Sequence, residues 1–308
     1  MNLLRTIAGK IGGALLVLFC VATVVFFLVR ISGDPVKVLL PPDATVAQEA
    51  SLRASLGLDR PLFLQYLHYL GGILRFDFGN SLFYDQPVSS VLAERLPATV
   101  ELAAAALVIA LVLAIPAGTL AALRRGKSSD TGVMTGVLIG QSTPPFWAGI
   151  LLILVFAVGL QVLPASGYGG IEHLVLPSVT LAIYSVAMIA RLLRSSLIDV
   201  LGADYMRTAR AKGLGELGVV LGHGLRNAAL PVVTVIGLEV GSLLGGAILT
   251  EQVFSWPGVG RLTVEAISNR DFPLVQATVL FFAATFVVVN LLVDLSYTFL
   301  DPRVRVRA

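Results

Sequence analysis

The segment "PATVELAAAALVIALVLAIPAGTLAAL", residues 97–123, decides the fold class, and Glu101 is its only charged residue. About 20 apolar residues in a helix cross the ~30 Å hydrocarbon layer of a bilayer, so this segment predicts a membrane-spanning helix. Five further runs are similarly apolar: Ile11–Val29, Thr131–Leu160, the shorter Leu174–Ile189, Ala228–Leu249 and Leu274–Leu300. The sequence therefore predicts an all-α integral membrane protein with six transmembrane helices, the second of which is Pro97–Leu123.

Composition agrees with this fold class. Of the 308 residues, 56% are hydrophobic and 13% are charged, and the mean hydropathy is +0.87. A soluble protein of this size needs more surface charge. The only cysteine, Cys20, lies inside the first run, so no disulfide can form within the chain. We interpret the first run as a retained helix rather than a signal peptide, because "VRISGDPV" offers no small-x-small cleavage site.

The basic residues indicate the orientation of the chain. Alternate segments between the runs hold 14 of the 22 Lys and Arg: Arg5, Lys10, Arg124, Arg125, Lys127, Arg191, Arg194, Arg207, Arg210, Lys212, Arg226, Arg303, Arg305 and Arg307. Basic residues are enriched in the cytoplasmic loops of membrane proteins, so we expect both termini in the cytoplasm of a cell-membrane protein. The net charge of +3 follows from this bias, and we expect no nucleic-acid partner.

These boundaries divide the chain into four parts. Residues 1–31 form a cytoplasmic N-terminus and the first membrane helix, residues 32–96 a sizeable extracytoplasmic segment, residues 97–300 a five-helix core with a cytoplasmic loop at 191–227, and residues 301–308 a cytoplasmic tail. In the outer segment, Thr45 can cap a short helix that Gly57 ends, and Pro61 can open an amphipathic helix. Two interpretations stay open for this segment: a lid on the outer leaflet, or a surface that docks a partner.

Three prolines predict how the membrane helices begin and break. Pro97 stands where the second run begins, a position at which its missing N–H costs nothing. Pro116 lies inside that run and should kink it. The pair Pro144 and Pro145 in "QSTPPFW" should break the third run, and a broken helix at membrane depth is tolerated where it lines a cavity or is covered by protein. We therefore regard Gln141 and Ser142, just before the pair, as candidates for a translocation pathway.

The loop segment "TARAKGLGELG", residues 208–218, fits the dinucleotide pattern G-x-G-x-x-G from Gly213 to Gly218. That pattern needs a buried strand directly before it, whereas "LGADYMRTARAK" is basic and favours a helix. Glu239, at the distance expected of a ribose-binding acid, falls inside the fifth run. We therefore expect no nucleotide site. Asp204 can instead cap a helix Tyr205–Lys212 that Gly213 ends in the left-handed conformation, and a helix this short needs a surface to pack against.

Several motifs together resemble the dipeptide and oligopeptide permeases of the ATP-binding-cassette (ABC) importers, and in particular their B-type subunit. They are "GDPV", "LGLDRPL", "RLPATVELA", "DYMRTARAKGL", "LRNAALPVVTVIG", "VFSWPGVGRL" and "NLLVDLSY…LDPRVR", and they cover nearly the whole chain. The loop departs from the general pattern of ABC permeases, because Arg207, Thr208 and Ala209 replace Glu-Ala-Ala and Leu230-Pro231 come five residues late. At both points the sequence resembles the dipeptide and oligopeptide branch of the family.

The resemblance implies a type I importer permease that forms the translocation path with a second homologous permease. It also implies one or two cytoplasmic ATPases, which bind ATP and Mg, and an extracytoplasmic substrate-binding protein. The loop helix would then be the element that couples to an ATPase, through Asp204, Tyr205, Arg207, Thr208, Ala209, Arg210, Lys212, Gly213 and Leu214. In this interpretation Ala209 faces the ATPase. The chain itself would be no enzyme, and would bind no cofactor and no metal.

Two acids inside the apolar runs, Glu239 and Asp294, are further pathway candidates, because an ionisable residue at membrane depth is costly unless it is paired or faces water. The alternative for each is a structural hydrogen bond to a neighbouring helix. Trp256 fits an anchor at the membrane interface. The favoured cargo is di- or oligopeptides, with nickel or glutathione as alternatives on the same architecture. An ion-coupled carrier is the second alternative, although the six runs show no repeated halves.

Overall fold

The computed structural model describes residues 3–31, 33–41 and 43–300. Apart from one isolated bridge between Asn80 and Pro87, the regular structure in these residues is helical. In chain order the α-helices are α1 (Leu3–Ile31), α2 (Val36–Leu39), α3 (Val46–Ser55), α4 (Leu62–Leu74), α5 (Val88–Leu123), α6 (Ser128–Ser142), α7 (Pro145–Leu152), α8 (Ile171–Leu201), α9 (Asp204–Ala211), α10 (Glu216–Gly218), α11 (Leu225–Val253), α12 (Val259–Ser268) and α13 (Phe272–Leu300). There are also two π-helices in these residues: π1 (Ile153–Gly159) directly follows α7, and π2 (Val219–Gly224) directly precedes α11.

Four of these helices, α1, α5, α8 and α13, are long and apolar enough to cross a membrane. Two bent pairs have the same composition, α6 with α7 and π1 at an angle of 105°, and Glu216–Ala229 with Pro231–Gly245 at 56°. When each bent pair counts as one span, the described residues hold the six transmembrane helices of the predicted all-α fold. The larger bend lies at Pro144 and Pro145, which lack the N–H groups that would continue α6.

Two boundaries differ from the sequence prediction. Pro97 does not start a helix, because α5 begins at Val88 and passes through Pro97. The residues before the apolar run are themselves amphipathic: Val88 and Val91 are buried while Ser89, Ser90 and Glu94 are exposed, so the helix gains a packed face there. The fourth membrane helix is not short either, since α8 continues past its apolar run to Leu201.

The chain divides into two compact units, of which the first comprises Met1–Thr99 and Pro257–Val287. Its apolar core joins α1, the start of α5, α12 and the start of α13 through Val25, Val29, Val88, Val91, Leu262, Ala266, Phe272, Leu274, Val275 and Ala277. Asp271 is fully buried and accepts hydrogen bonds from Ser81 Oγ at 2.5 Å, from the backbone of Phe83 at 3.2 Å and from the backbone of Leu274 at 3.2 Å. This carboxylate therefore attaches the loop before α5 to the beginning of α13.

Within this unit the outer segment folds largely as its sequence predicts. Thr45 caps α3 in a capping box with Gln48, and Gly57 stands just after the helix with a φ of +64°. Helix α4 begins directly after Pro61. These local predictions are confirmed because caps and turn glycines act over only a few residues of chain.

The second unit comprises Val100–Trp256 and Val288–Ala308, and α8 is its central helix. It packs against α6, α7 and α11, and small residues bring backbones close: a Cβ on Gly118 of α5 would lie 2.7 Å from the carbonyl oxygen of Ala190. Trp256 is not an interface anchor as expected, because it is 1% exposed and its ring packs edge-on against Tyr168 at 4.8 Å.

Candidate functional site

Helix α9 forms where the sequence predicts it, with one change at each end. Asp204 is its first residue rather than its cap, since Ala203 holds the extended N-cap conformation and no side chain caps the helix. The Asp204 carboxylate instead lies 3.5 Å from Arg207 in the first turn. Lys212 is the C-cap, and Gly213 follows with a φ of +85° and donates its N–H to the carbonyl oxygen of Arg210 at 2.9 Å. The left-handed glycine is therefore confirmed.

The inner face of α9 packs against its own subunit. Met206 is fully buried and Ala209 is 9% exposed, and both contact Val219 of π2, with Val200 and Leu201 at the end of α8 packed around them. From its small size we expected Ala209 to face outward toward an ATPase, but it faces inward instead. The expectation failed because the chain itself provides the surface that so short a helix needs.

The outer face of α9 is polar and accessible. Tyr205 and Leu214 are about half exposed, and Arg207, Thr208 and Lys212 are exposed as well. Arg210 Nε bonds to Glu216 Oε1 at 2.8 Å across the Gly213 turn, so this arginine is partly neutralised within the segment. Helix α9 is thus supported from behind by its own subunit and presents a mixed polar and aromatic surface. Such a surface is suited to contact another protein rather than to perform chemistry.

The first two glycines of the pattern, Gly213 and Gly215, form the turn between α9 and α10, and the third, Gly218, ends α10. Gly213 ends one helix, and Gly215 stands in the extended N-cap conformation of the next. What precedes them is α9 rather than a strand, so the pyrophosphate-binding geometry of a βαβ unit is not formed here. The glycine pattern therefore lacks the strand that the dinucleotide fingerprint requires.

An ion pair that the sequence analysis missed joins the start of α6 to α8. Asp130 is 4% exposed and accepts two hydrogen bonds from Arg194, at 2.6 Å from Nε and 2.7 Å from Nη2. Its Oδ2 also accepts the backbone N–H of Gly126 at 2.9 Å. A bidentate pair of this kind fixes the angle between its two helices as well as their separation. Seven residues beyond Arg194, α8 ends and the chain passes through Gly202 into α9.

The pathway candidates are separated by the structure. Glu239 on α11 is 7% exposed, and its Oε2 accepts a hydrogen bond from the buried Ser185 of α8 at 2.5 Å. It is thus enclosed between two helices and does not reach an open surface of its unit. The side chain of Asp294 lies outside the described residues.

Gln141 and Ser142 lie together at the broken helix. Gln141 Nε2 contacts Met188 Sδ of α8 at 3.3 Å. Ser142 lines a cleft of about 340 Å³ together with Thr143, Pro144, Phe146 and Trp147. The rings of Phe146 and Trp147 are exposed beside the freed ends of the helix. Of the three candidates whose side chains the structure describes, these two lie at an accessible break in a span.

Comparison with known proteins decides the family. Residues 114–306 match the family described as "Binding-protein-dependent transport system inner membrane component", and residues 3–103 match the corresponding N-terminal family. The chain belongs to this family. It is 42% identical over 304 residues to the glutathione transport system permease protein GsiC of Escherichia coli (strain K12), covering 98% of this chain and 99% of that protein. The protein of the same name from Salmonella typhimurium (strain LT2) is 42% identical with the same coverage.

A solved structure agrees at the level of the fold. The crystal structure of an amino acid ABC transporter with histidines covers 70% of this chain and 94% of its own, with a TM-score of 0.50 and 16% sequence identity. By its family match and its 42% identical relatives, the chain is a multi-pass permease subunit of an ABC importer with the type I fold. Its relatives are permease subunits rather than enzymes.

Several motifs that carried the resemblance turn out to be packing determinants. In "GDPV", Gly33 has a φ of +139° and the guanidinium of Arg270 lies against it, Asp34 pairs with Arg53, and Val36 is buried. In "RLPATVELA", Thr99 Oγ1 accepts the backbone N–H of Val259 at 2.8 Å. These residues hold the fold together, whereas the motif that forms α9 presents an accessible polar surface.

Proposed function

We propose that this subunit forms the translocation path of an ATP-driven importer for short peptides, together with a second homologous permease. The observation that supports this most is the full-length similarity to relatives named as glutathione transport permeases, because glutathione is itself a tripeptide. Di- and oligopeptides share its backbone amides, ammonium group and carboxylate groups. Both cargoes belong to one chemical class, which the same pathway can carry.

In this proposal α9 couples the subunit to a cytoplasmic ATPase. Its backing by Met206 and Ala209 makes it move with the end of α8, and the Asp130–Arg194 pair joins α8 to α6. Helix α6 in turn ends at the break beside Ser142. A displacement of α9 would thus be transmitted to the break through these two contacts.

The broken helix is the part of the chain that we assign to the pathway. Carbonyl groups at the end of α6 are left without helical partners by Pro144 and Pro145, and such groups can hydrogen-bond a peptide or water at membrane depth. Gln141, Ser142 and the rings of Phe146 and Trp147 flank them. Glu239 is assigned a structural hydrogen bond between α8 and α11 instead.

The proposal names three kinds of partner. One or two ATPase subunits supply ATP hydrolysis with their own Mg, an extracytoplasmic binding protein delivers the cargo, and the second permease completes the path. This chain contributes no cofactor. Family membership favours this mechanism over the ion-coupled carrier, since a binding-protein-dependent system draws its energy from a separate subunit.

Uptake by the reconstituted complex tests the function and the cargo together. Proteoliposomes containing the permease pair and ATPase, with binding protein outside, should accumulate labelled glutathione or a labelled dipeptide only when ATP is inside. The same vesicles should ignore Ni²⁺. Uptake of Ni²⁺ without peptide or glutathione, or uptake driven by a proton gradient without ATP, would contradict the proposal.

The expected orientation has its own test. Single cysteines replacing Lys127 and Arg305 should react with impermeant maleimide only from the cytoplasmic side, whereas one replacing Asp59 should react from outside. Labelling of position 305 from outside would reverse the assigned topology and, with it, the side on which α9 meets an ATPase.

A further inference from the structure

Helix α4 has the composition of a membrane segment but not the length of a span. Its 13 residues, Leu62–Leu74, contain no Asp, Glu, Lys or Arg, and include one histidine, His68. An apolar helix of this length is typically a buried core helix or an interfacial segment. None of its residues is buried, so within the described chain α4 is not a core helix.

The inner face of α4 is attached to α1 by polar and aromatic contacts. Arg30 of α1 donates to Gln65 Oε1 from Nη2 at 2.8 Å, and its guanidinium lies over the Phe26 ring at 3.4 Å. Tyr66 Oη and Thr23 Oγ1 are 2.7 Å apart. The ring of Tyr69 packs against Phe26 at 5.4 Å. These contacts fix α4 beside the last two turns of α1.

The position of those turns sets the depth of α4. The membrane-spanning part of α1 ends at Ile31. At a rise of about 1.5 Å per residue, Phe26 lies roughly 7 Å below Ile31 along the helix axis. Amphipathic helices that lie in a membrane interface are immersed to about 5–10 Å, so α4 sits at the depth such helices occupy.

The outer face of α4 continues the lipid-facing surface of α1. Leu67 is 47% exposed, Leu64 and Leu74 are exposed on the same side of the helix, and the exposed His68 lies at the edge of this face. At the same level α1 exposes Val24, Phe27 and Leu28. An apolar surface that continues the exposed face of a membrane span at the same depth is exposed to the same lipid.

Both ends of α4 leave this level through charged residues. Asp59 and Arg60 precede it, and Arg75 and Asp77 follow it, where the backbone N–H of Asp77 turns back to the carbonyl oxygen of Gly72 at 2.9 Å. A helix with charges at both ends lies along the interface and does not cross the bilayer.

We propose that α4 is an interfacial membrane helix, inserted in the leaflet where α1 ends, with Leu64, Leu67 and Leu74 against lipid acyl chains. The outer segment is thereby anchored to the membrane through α4, and α3 remains in water. This face of α4 is then unavailable as a protein docking surface. The assignment holds whichever cargo the transporter carries.

Spin-label accessibility in nanodiscs tests this in the assembled complex. With Cys20 replaced by Ser, single cysteines replace Leu64 and Leu67 on α4, Leu28 on α1 as the lipid control, and Ala50 on α3 as the water control. Collisions with oxygen report lipid, and collisions with a neutral nickel chelate report water. The oxygen-to-nickel ratio at both α4 sites should match that at Leu28 and exceed that at Ala50 several-fold.

Two outcomes would overturn the proposal. A ratio at Leu64 and Leu67 equal to that at Ala50 would place α4 in water as a lid above the membrane. Labels that neither reagent reaches, while the label at Leu28 stays accessible to oxygen, would mean that another protein covers this face. Removing the binding protein and repeating the measurement would show whether that protein is the one responsible.

Discussion

Helices α9 and α4 are both short and both lie outside the six spans, but their faces are reversed. In α9 the residues that pack inward, Met206 and Ala209, are apolar, and the outer face carries charges. In α4 the inward residues Gln65 and Tyr66 hydrogen-bond to α1, and the outer face is leucine-rich. The exposed face of each helix thus suits the surroundings that we propose for it, which are water and protein for α9 and lipid for α4.

The difference also shows how each helix is held. The apolar backing of α9 resists displacement through packing, so its position depends on volume and backbone shape. The attachment of α4 combines a few directional hydrogen bonds with ring contacts of Tyr66 and Tyr69 at the end of a span. Substitutions that change volume should therefore damage α9 most, and those that remove a hydrogen-bonding group should damage α4 most.

The largest effect is expected for Ala209→Trp. Adding even a methylene group or two to a packed site costs about 1–3 kcal/mol, and an indole ring against Val219 is far larger. We expect α9 to detach from π2. Trypsin should then cleave the isolated subunit rapidly at Arg210 and Lys212, and peptide-stimulated ATP hydrolysis in the complex should be lost. In Ala211→Trp, at an exposed position two residues away, the isolated subunit should keep the cleavage rate of the unaltered protein. Equal cleavage of the two variants would contradict the packing of α9.

Gly213→Val should have the next largest effect. A β-branched residue at a φ of +85° costs about 1–3 kcal/mol, although a Cβ there would meet no other atom within 4 Å. The end of α9 should unwind, and substrate-stimulated ATPase activity should fall at least several-fold while the subunit still inserts and binds its partner permease. Gly215→Val is the matched control, because that site is equally open but has a φ of −62°. Equal stimulation in the two variants would show that backbone shape at Gly213 is not required.

On the α4 side, Gln65→Leu should lower stability by a smaller amount. The substitution removes the acceptor of two hydrogen bonds from Arg30, and a hydrogen bond to a charged group contributes about 1.5–3 kcal/mol when protected from water. Since Arg30 is only partly buried, we expect a loss of about 1 kcal/mol and a lower midpoint of thermal unfolding in nanodiscs. The control Gln86→Leu, at an exposed position in the same outer segment, should leave the midpoint unchanged. If both variants unfold at the same temperature, Gln65 does not hold α4 in place.

The smallest effect is expected for Lys212→Ala. Lys212 is exposed and has no ion pair among the residues that the structure describes, so its charge is available to an acid on the ATPase. Exposed pairs of this kind contribute about 0–1 kcal/mol. Stimulated ATPase activity should fall less than about five-fold and lose part of its salt dependence. Complete loss would mean that a single charge, rather than the seated helix, carries the coupling.

Features that depend on nearby residues were predictable from the sequence. The apolar runs, the helix cap at Thr45, the break at Pro144 and the left-handed Gly213 each act within a few residues, and the structure confirms all of them. The start of α5 was misplaced because the amphipathic turns before Pro97 become a helix only by packing Val88 and Val91 into a core.

Contacts between distant residues were not predictable. Asp130 and Arg194 are 64 positions apart, and Ser81 and Asp271 are 190 apart, so no spacing rule relates them. Glu239 shows the limit most plainly: its presence in an apolar run signals a special role, but only the position of Ser185 distinguishes an enclosed hydrogen bond from an open pathway. Ala209 was assigned the wrong face because the π2 surface behind α9 has no signature in the sequence.

The most direct test of the contrast between the two helices is photocrosslinking from both of them in one preparation. Benzoylphenylalanine replaces Tyr205 on α9 or Phe63 on α4, two exposed aromatic positions, in the complete transporter in native membranes. Tyr205 should give an adduct with the ATPase subunit, and Phe63 should give lipid adducts and none with protein. The absence of an ATPase adduct from position 205, or a protein adduct from position 63, would contradict the account.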